Sequence, residues 1–283
     1  MIYGLVAALG WGLADFGGAV AGRKLGSLWV VLVAQTFTAL AMSAVIIVAR
    51  SPLDPMWGAI PLLLLNGAFS ATAYVTHYRA LELGPVAVVS PVGATYALVG
   101  SILAIVLLGE RPGAVAIAGG LVTVFGVMLT STDLPRLRAG THGIPPGLPW
   151  AIVSAICFGA GGFTLARLSR DLGWEVGLWG SRIVQLVAFL VVAAIGRREL
   201  ARHRPHAAGT WVAIATGAAD LLGVLAFAIG VNKGFVTIVL VASAVFPLIA
   251  VGLSIAFLDE RPVLNQYAGV VLTIAGLVAL GLG

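Results

Sequence analysis

Apolar residues fall along this chain in long runs separated by short polar turns. A helix that crosses a bilayer needs about 20 consecutive, mostly apolar residues. Ten runs meet that length, at 2–22, 28–49, 57–80, 85–108, 112–131, 148–168, 174–195, 209–230, 235–258 and 262–282. They leave too little chain for a separate soluble domain. Most connections carry turn and charge signals, as in Arg50-Ser51-Pro52, Glu110-Arg111-Pro112 and Asp259-Glu260-Arg261-Pro262, where proline ends one helix and opens the next. Two connections are longer. Residues 132–147 hold Pro135, Pro145, Pro146 and three glycines, and read as a linker between two halves, 1–131 and 148–283. Residues 196–208 are rich in Arg and His. The pattern predicts an all-α membrane protein with ten transmembrane helices. Ala19-Val20-Ala21 resembles a signal-peptide cleavage site, but no basic segment precedes it and Asp15 interrupts the run, so this run reads as a span.

The second half repeats the first. At an offset of 147, Ala8, Gly12, Phe16 and Gly26 fall on Ala155, Gly159, Phe163 and Gly173. After the second span the offset becomes 150, where the second half has its longer Arg/His loop. Gly67 and Ala68 then match Gly217 and Ala218, and Gly84, Ala94 and Leu98 match Gly234, Ala244 and Leu248. Glu110-Arg111-Pro112 matches Glu260-Arg261-Pro262, and Gly119, Thr123 and Gly126 match Gly269, Thr273 and Gly276. Single Gly or Ala matches carry little weight in a chain with 37 glycines; the Glu-Arg-Pro pair carries more. Five spans per half is an odd number, so the second half enters the membrane inverted. Inverted repeats build transporters with a substrate site near the midplane, at the repeat interface. A duplicated scaffold or enzyme is the alternative.

Composition sharpens this. The chain is 60% hydrophobic and only 10% charged, with a mean hydropathy of +1.08, where soluble domains carry about 25% charged residues. A soluble globule, a disordered tail and a disulfide scaffold are excluded for the whole chain. The net charge of +5 and pI of 9.9 come from basic residues scattered between spans, so no nucleic-acid face is expected. The sole cysteine, Cys157, lies in an apolar run and reads as a small buried hydrophobe.

Gly109-Glu110-Arg111-Pro112 and Asp259-Glu260-Arg261-Pro262 after the fourth and ninth spans resemble the drug/metabolite transporter superfamily, EamA type. So do Trp11-Gly12, Phe158-Gly159, the glycine pairs of spans five and ten, and Pro247 in span nine. Span four departs with Ala97 at the matching position, although Pro91 lies nearby. The resemblance implies a basket of helices around a central cavity, lined mainly by spans one, three, four, six, eight and nine. It leaves the substrate open.

A charge in the hydrocarbon core costs about 2.5–3.5 kcal/mol on insertion scales, so such residues face the interior and usually pair. Asp15, Arg182 and Asp220 lie well inside spans. Asp15 reads either as a proton-exchanging group that competes with a cationic substrate or as a structural pair to a neighbouring helix. Arg182 and Asp220 stand where the first half has Gln35 and Ser70. They either neutralise each other, the preferred reading, or leave Arg182 to hold an anion. Asn66, Ser70, Tyr74 and His77 form one helical stripe and read as cavity lining, with interhelical hydrogen bonding as the alternative. Trp11, Tyr96 and Ser243 complete the candidates, and Ser90, Pro91, Thr95 and Pro247 mark points where helices bend or expose polar groups. Glu110 and Glu260 read as caps on the helices that begin at Pro112 and Pro262.

These readings converge on a secondary transporter of a small metabolite or drug-like molecule in the cytoplasmic membrane. It would work by alternating access, with proton coupling through Asp15 or Asp220 as a subsidiary reading. The alternatives are a polytopic enzyme and a non-transporting accessory subunit. No cofactor or metal is expected: His77, His142, His203 and His206 lack ligand spacing, and no catalytic or phosphate-binding motif is present. The expected partners are the substrate, protons and lipid, with a monomeric or homodimeric protein. Topology carries a conflict. Ten of the 16 Lys and Arg follow odd-numbered spans, against five after even-numbered ones. The positive-inside rule therefore puts both termini outside, whereas the resemblance implies both inside. The latter is adopted, and a reporter fused after Gly283 decides it.

Overall fold

A computed structural model describes residues 1–84, 86–130, 132, 134–135, 146–202, 206–258 and 263–282. The described helices of eight or more residues are α1 (Ile2–Leu25), α2 (Ser27–Ala49), α3 (Ile60–Leu83), α4 (Val86–Ala94), α5 (Tyr96–Leu108), α6 (Ala114–Thr130), α7 (Leu148–Leu172), α8 (Trp174–Ile195), α9 (Ala207–Lys233), α10 (Val236–Ser243), α11 (Phe246–Leu258) and α12 (Leu264–Leu282). Among the described residues six helical stretches are long and apolar enough to cross a membrane: α1, α2, α3 with its preceding turn, α7, α8 and α9. The other apolar helices, Val92–Leu108, Ala114–Thr130, Val236–Ala250 and Leu264–Leu280, are shorter. The protein is thus all-helical where described, with multiple apolar spans.

The fourth and ninth apolar runs are not continuous helices. In the ninth, α10 ends at Ser243 and α11 starts at Phe246. Proline lacks an N–H and its ring clashes with the carbonyl four residues earlier; Pro247 therefore breaks the helix after Ser243. The fourth run breaks at the matching place, Thr95, although α4 runs through Pro91 and no proline stands at Ala97. There the Val92 carbonyl accepts both the Thr95 N–H at 3.2 Å and the Thr95 hydroxyl at 2.7 Å, a tight turn in place of the continued helical ladder.

Helices distant in sequence pair antiparallel. Along α1 and α9, Tyr3 meets Gly230, Gly10 meets Gly223, Gly17 meets Thr216 and Leu25 meets Gly209. Asn66 and Ser70 of α3 meet Thr164 and Gly161 of α7, and Gln35 and Ser43 of α2 meet Arg182 and Trp179 of α8. Swapping the two halves maps the first pair onto the second. The third pair, and α6 with α12, map onto themselves. Small residues drive this, since helices in lipid associate by close packing rather than by hydrophobicity. Large apolar side chains such as Val48, Leu107, Ile195 and Leu264 face outward, as lipid contact requires. Cys157 is half-buried rather than fully buried.

The α6–α12 contact allows a sharp test. A β-carbon on Gly126 would lie 2.5 Å from the Thr273 amide nitrogen and 2.9 Å from the Gly269 carbonyl, both backbone atoms that cannot swing aside. Gly126→Val should therefore cost about 1–3 kcal/mol and lower the melting temperature in detergent. An unchanged melt would mean that this pair does not hold the helices together.

Candidate functional site

α1, α3, α4, α5, α7, α8, α9 and α11 enclose one cavity. Of the candidates, Trp11, Asp15, Ser70, Tyr74, His77, Tyr96, Arg182 and Asp220 line it. The eighth helix is an addition to the expected lining, because span seven delivers Arg182 and Gln185 to the wall. The cavity volume is about 100 Å³.

Two buried charge clusters face this space. In the first, Arg182 Nη2 donates to Asp220 Oδ2 at 3.0 Å, with both side chains almost fully buried. Arg182 Nη1 donates to Gln35 Oε1 at 2.7 Å and Gln185 Oε1 at 3.0 Å. The Tyr74 hydroxyl donates to Asp220 Oδ1 at 2.7 Å, and its ring sits 5.4 Å from the guanidinium carbon. This matches the preferred reading of the two residues as a mutually neutralising pair. In the second cluster, His77 Nε2 lies 2.9 Å from Asp15 Oδ1 and the Ser90 hydroxyl donates to Asp15 Oδ2 at 2.5 Å. For an ionised Asp15 that ring nitrogen is the donor. Arg182 Nε and His77 Nδ1 are buried without hydrogen-bond partners among the described residues.

Three aromatic rings of the lining cluster toward one end. Trp11 meets Tyr96 edge-on at 5.9 Å and Phe227 at 5.9 Å. Trp11 lies one turn from Asp15 toward the start of α1, and Phe227 two turns from Asp220 toward the end of α9. Those two helix ends adjoin, since Lys233 Nζ donates to the Tyr3 hydroxyl at 2.8 Å.

Two candidates stand behind the wall rather than in it. Asn66 is fully buried and donates Nδ2 to the Gly161 carbonyl and the Thr164 hydroxyl, each at 2.9 Å, while the Ser181 hydroxyl donates to its Oδ1. Gly161 lets α7 approach closely enough for this bridge, so Asn66 locks helices rather than meeting solute. Ser243 donates to the Leu240 carbonyl at 2.8 Å and lies 2.5 Å from the Tyr96 hydroxyl, which it holds in place.

Glu110 also departs from expectation. It caps neither Pro112 nor the next helix, which starts at Ala114. Gly109 ends α5 in the left-handed region, φ 67°, which glycine adopts without steric cost. That turn sends Glu110 inward to α10, where its carboxylate accepts from the Val236 N–H at 2.8 Å and the Thr237 N–H at 3.1 Å. Glu260 and its motif lie outside the described residues, as do His142 and His203.

Sequence reasoning missed Gln35 and Gln185 as partners of Arg182. One signal was available: Gln35 is the repeat match of Arg182, and matched positions on a self-paired helix couple meet at the pseudo-twofold axis. In the aromatic wall, Phe158 stood out only through the Phe158-Gly159 resemblance, and Phe227 and Phe246 carried no comparable signal in an apolar chain.

The sequence profile of the EamA-like transporter family matches residues 1–132 and again 145–282. Curated proteins gave no match. A solved structure described only as "Crystal structure of protein" is similar in fold, with a TM-score of 0.80 at 19% identity, over 99% of this chain and 96% of that one. With nearly its whole length matched in two copies, the chain belongs to the EamA-like transporter family.

Proposed function

We propose that this protein is a secondary transporter that carries a small polar or amphipathic solute across the cytoplasmic membrane. Its ten crossings form two inverted five-helix halves, and alternating access exposes the cavity to one side at a time. The observation that carries the reading is a cavity shared by both halves and lined by two buried charge pairs, Asp15 with His77 and Arg182 with Asp220. At about 100 Å³ the cavity falls below the roughly 300–1,000 Å³ of pockets for drug-sized ligands, which favours a compact solute over a bulky one. The Asp15–His77 pair supplies a proton-exchanging group; the Arg182–Asp220 pair is already neutral and supplies shape and hydrogen bonding.

The test is a thermal-shift screen of metabolites on purified protein, followed by counterflow of hits in proteoliposomes. Gly162→Leu provides the control. A β-carbon there meets only Leu240 Cδ2 at 3.4 Å and Phe227 Cζ at 3.9 Å, ordinary contact distances. The added side chain should fill the cavity, weaken binding of any hit by about ten-fold or more and leave the melting temperature nearly unchanged. A hit whose binding and flux survive Gly162→Leu does not use this cavity.

A further inference from the structure

Glu110 and Arg170 lie outside the cavity, and the transport reading gives them no task. Glu110 is buried, and its carboxylate accepts four hydrogen bonds: the two α10 amides, the Thr237 hydroxyl at 2.9 Å and Arg170 Nη2 at 3.1 Å. That uses the full accepting capacity of a carboxylate. The amides are orphan donors of the first turn of α10. Arg170, in the last turn of α7, also donates Nε to the Val231 carbonyl at 3.0 Å and Nη2 to the Gly234 carbonyl at 2.9 Å, around the end of α9. Charge therefore alternates through the junction: the negative end of α9, Arg170, Glu110, then the positive end of α10.

Within this junction Glu110 is the contribution of the first half; α7, α9 and α10 belong to the second. The aromatic cluster of Trp11, Tyr96 and Phe227 lies between the buried carboxylates and this same end. Polar latch and apolar plug are thus stacked, and Tyr96 and Glu110 are carried by the same helix and its C-terminal turn. A movement of α5 that withdraws Glu110 also withdraws Tyr96. Arg170 is partly exposed while Glu110 is buried, so the junction borders water on the Arg170 side.

We propose that this junction is the gate at one end of the cavity. Access from that end requires Glu110 to leave the N-terminus of α10, and Glu110 and Arg170 position the two halves without touching the solute. The inference rests on the alternating-access reading, but its test needs no substrate. In a Cys157→Ser background, Leu165→Cys places one thiol on the cavity wall. A charged, membrane-impermeant methanethiosulfonate reagent is applied to right-side-out and inside-out vesicles. Exposed Arg111, replaced by cysteine in a separate chain, reports which face carries the gate. Glu110→Gln should speed labelling of the cavity thiol from the gate face by about ten-fold or more, without a matching gain from the other face. Thr237→Val, which removes one donor and spares the charge pair, should give a smaller gain of the same sidedness. Unchanged gate-face rates in both variants overturn the proposal, as does equal acceleration from both faces, which marks a merely loosened fold. Sided acceleration in a protein that transports nothing in the screen leaves the gate standing and the transport reading in doubt.

Discussion

Arg182→Met is expected to destabilise the protein by about 3–5 kcal/mol, the usual cost of stranding one partner of a buried ion pair. Asp220, with 2% of its surface exposed, would keep only neutral donors, Tyr74 and Gln35. Two more groups would suffer, because the side-chain carbonyls of Gln35 and Gln185 both accept from the Arg182 Nη1 that is lost. Adding Asp220→Leu to the same chain should recover most of the loss, since removing both charges also removes the cost of burying them. Thermal or denaturant unfolding in detergent, arranged as a double-mutant cycle, reads this directly. A coupling energy above about 1 kcal/mol is expected for groups in direct contact. Near-additive losses would mean that the pair contributes no net interaction, and the burial of both groups would need another cause. The recovered double variant separates stability from function. It keeps the fold but not the polar wall, so ligand binding should fall while the melt stays high.

The long-range order of this protein was legible in its sequence to an uneven degree. Run length and the 147/150 offset pointed to helices and to a duplication because both are written locally, residue by residue. Asp15, Arg182 and Asp220 stood out for the same reason: a charge inside an apolar run has few physical explanations. Eight of the ten candidate side chains do line one cavity. Which partner each would take was less accessible. Asp15 meets His77 across 62 positions and Arg182 meets Gln35 across 147, and helix pairing at that range depends on where small residues permit contact. Asn66 shows the limit of stripe reasoning. It shares a face with Ser70 and Tyr74, yet sits where α7 and α8 close over that face, so its amide bonds to protein. Glu110 shows a second limit. A carboxylate ahead of a proline-initiated helix is most simply read as a cap on that helix. The left-handed turn at Gly109 sends it instead across the molecule, and no local pattern announces the destination.

Asp15→Asn should abolish the response of transport to an imposed pH gradient while leaving the protein folded. The amide is nearly isosteric with the carboxylate; its oxygen still accepts from His77 Nε2, and the Ser90 hydroxyl can turn to accept from its nitrogen. The groups that face Asp15 are His77 and Tyr78 from α3 and Ser90 from α4. With Asn at position 15, no carboxylate remains among them to exchange a proton. Asp220→Asn acts on a different cluster, where Arg182 already balances the charge, so gradient-driven flux should persist there if the protein holds its fold. In proteoliposomes loaded with a pH-sensitive dye, Asp15→Asn should reduce gradient-driven accumulation by about ten-fold or more, while counterflow without a gradient persists. Asp15→Glu, which restores the charge at a longer reach, should recover part of the coupling. Full gradient-driven accumulation by Asp15→Asn would remove Asp15 from the proton pathway. Loss of coupling in Asp220→Asn alone would move the proton to the Arg182 cluster, and the cavity would then work with the two pairs in exchanged roles.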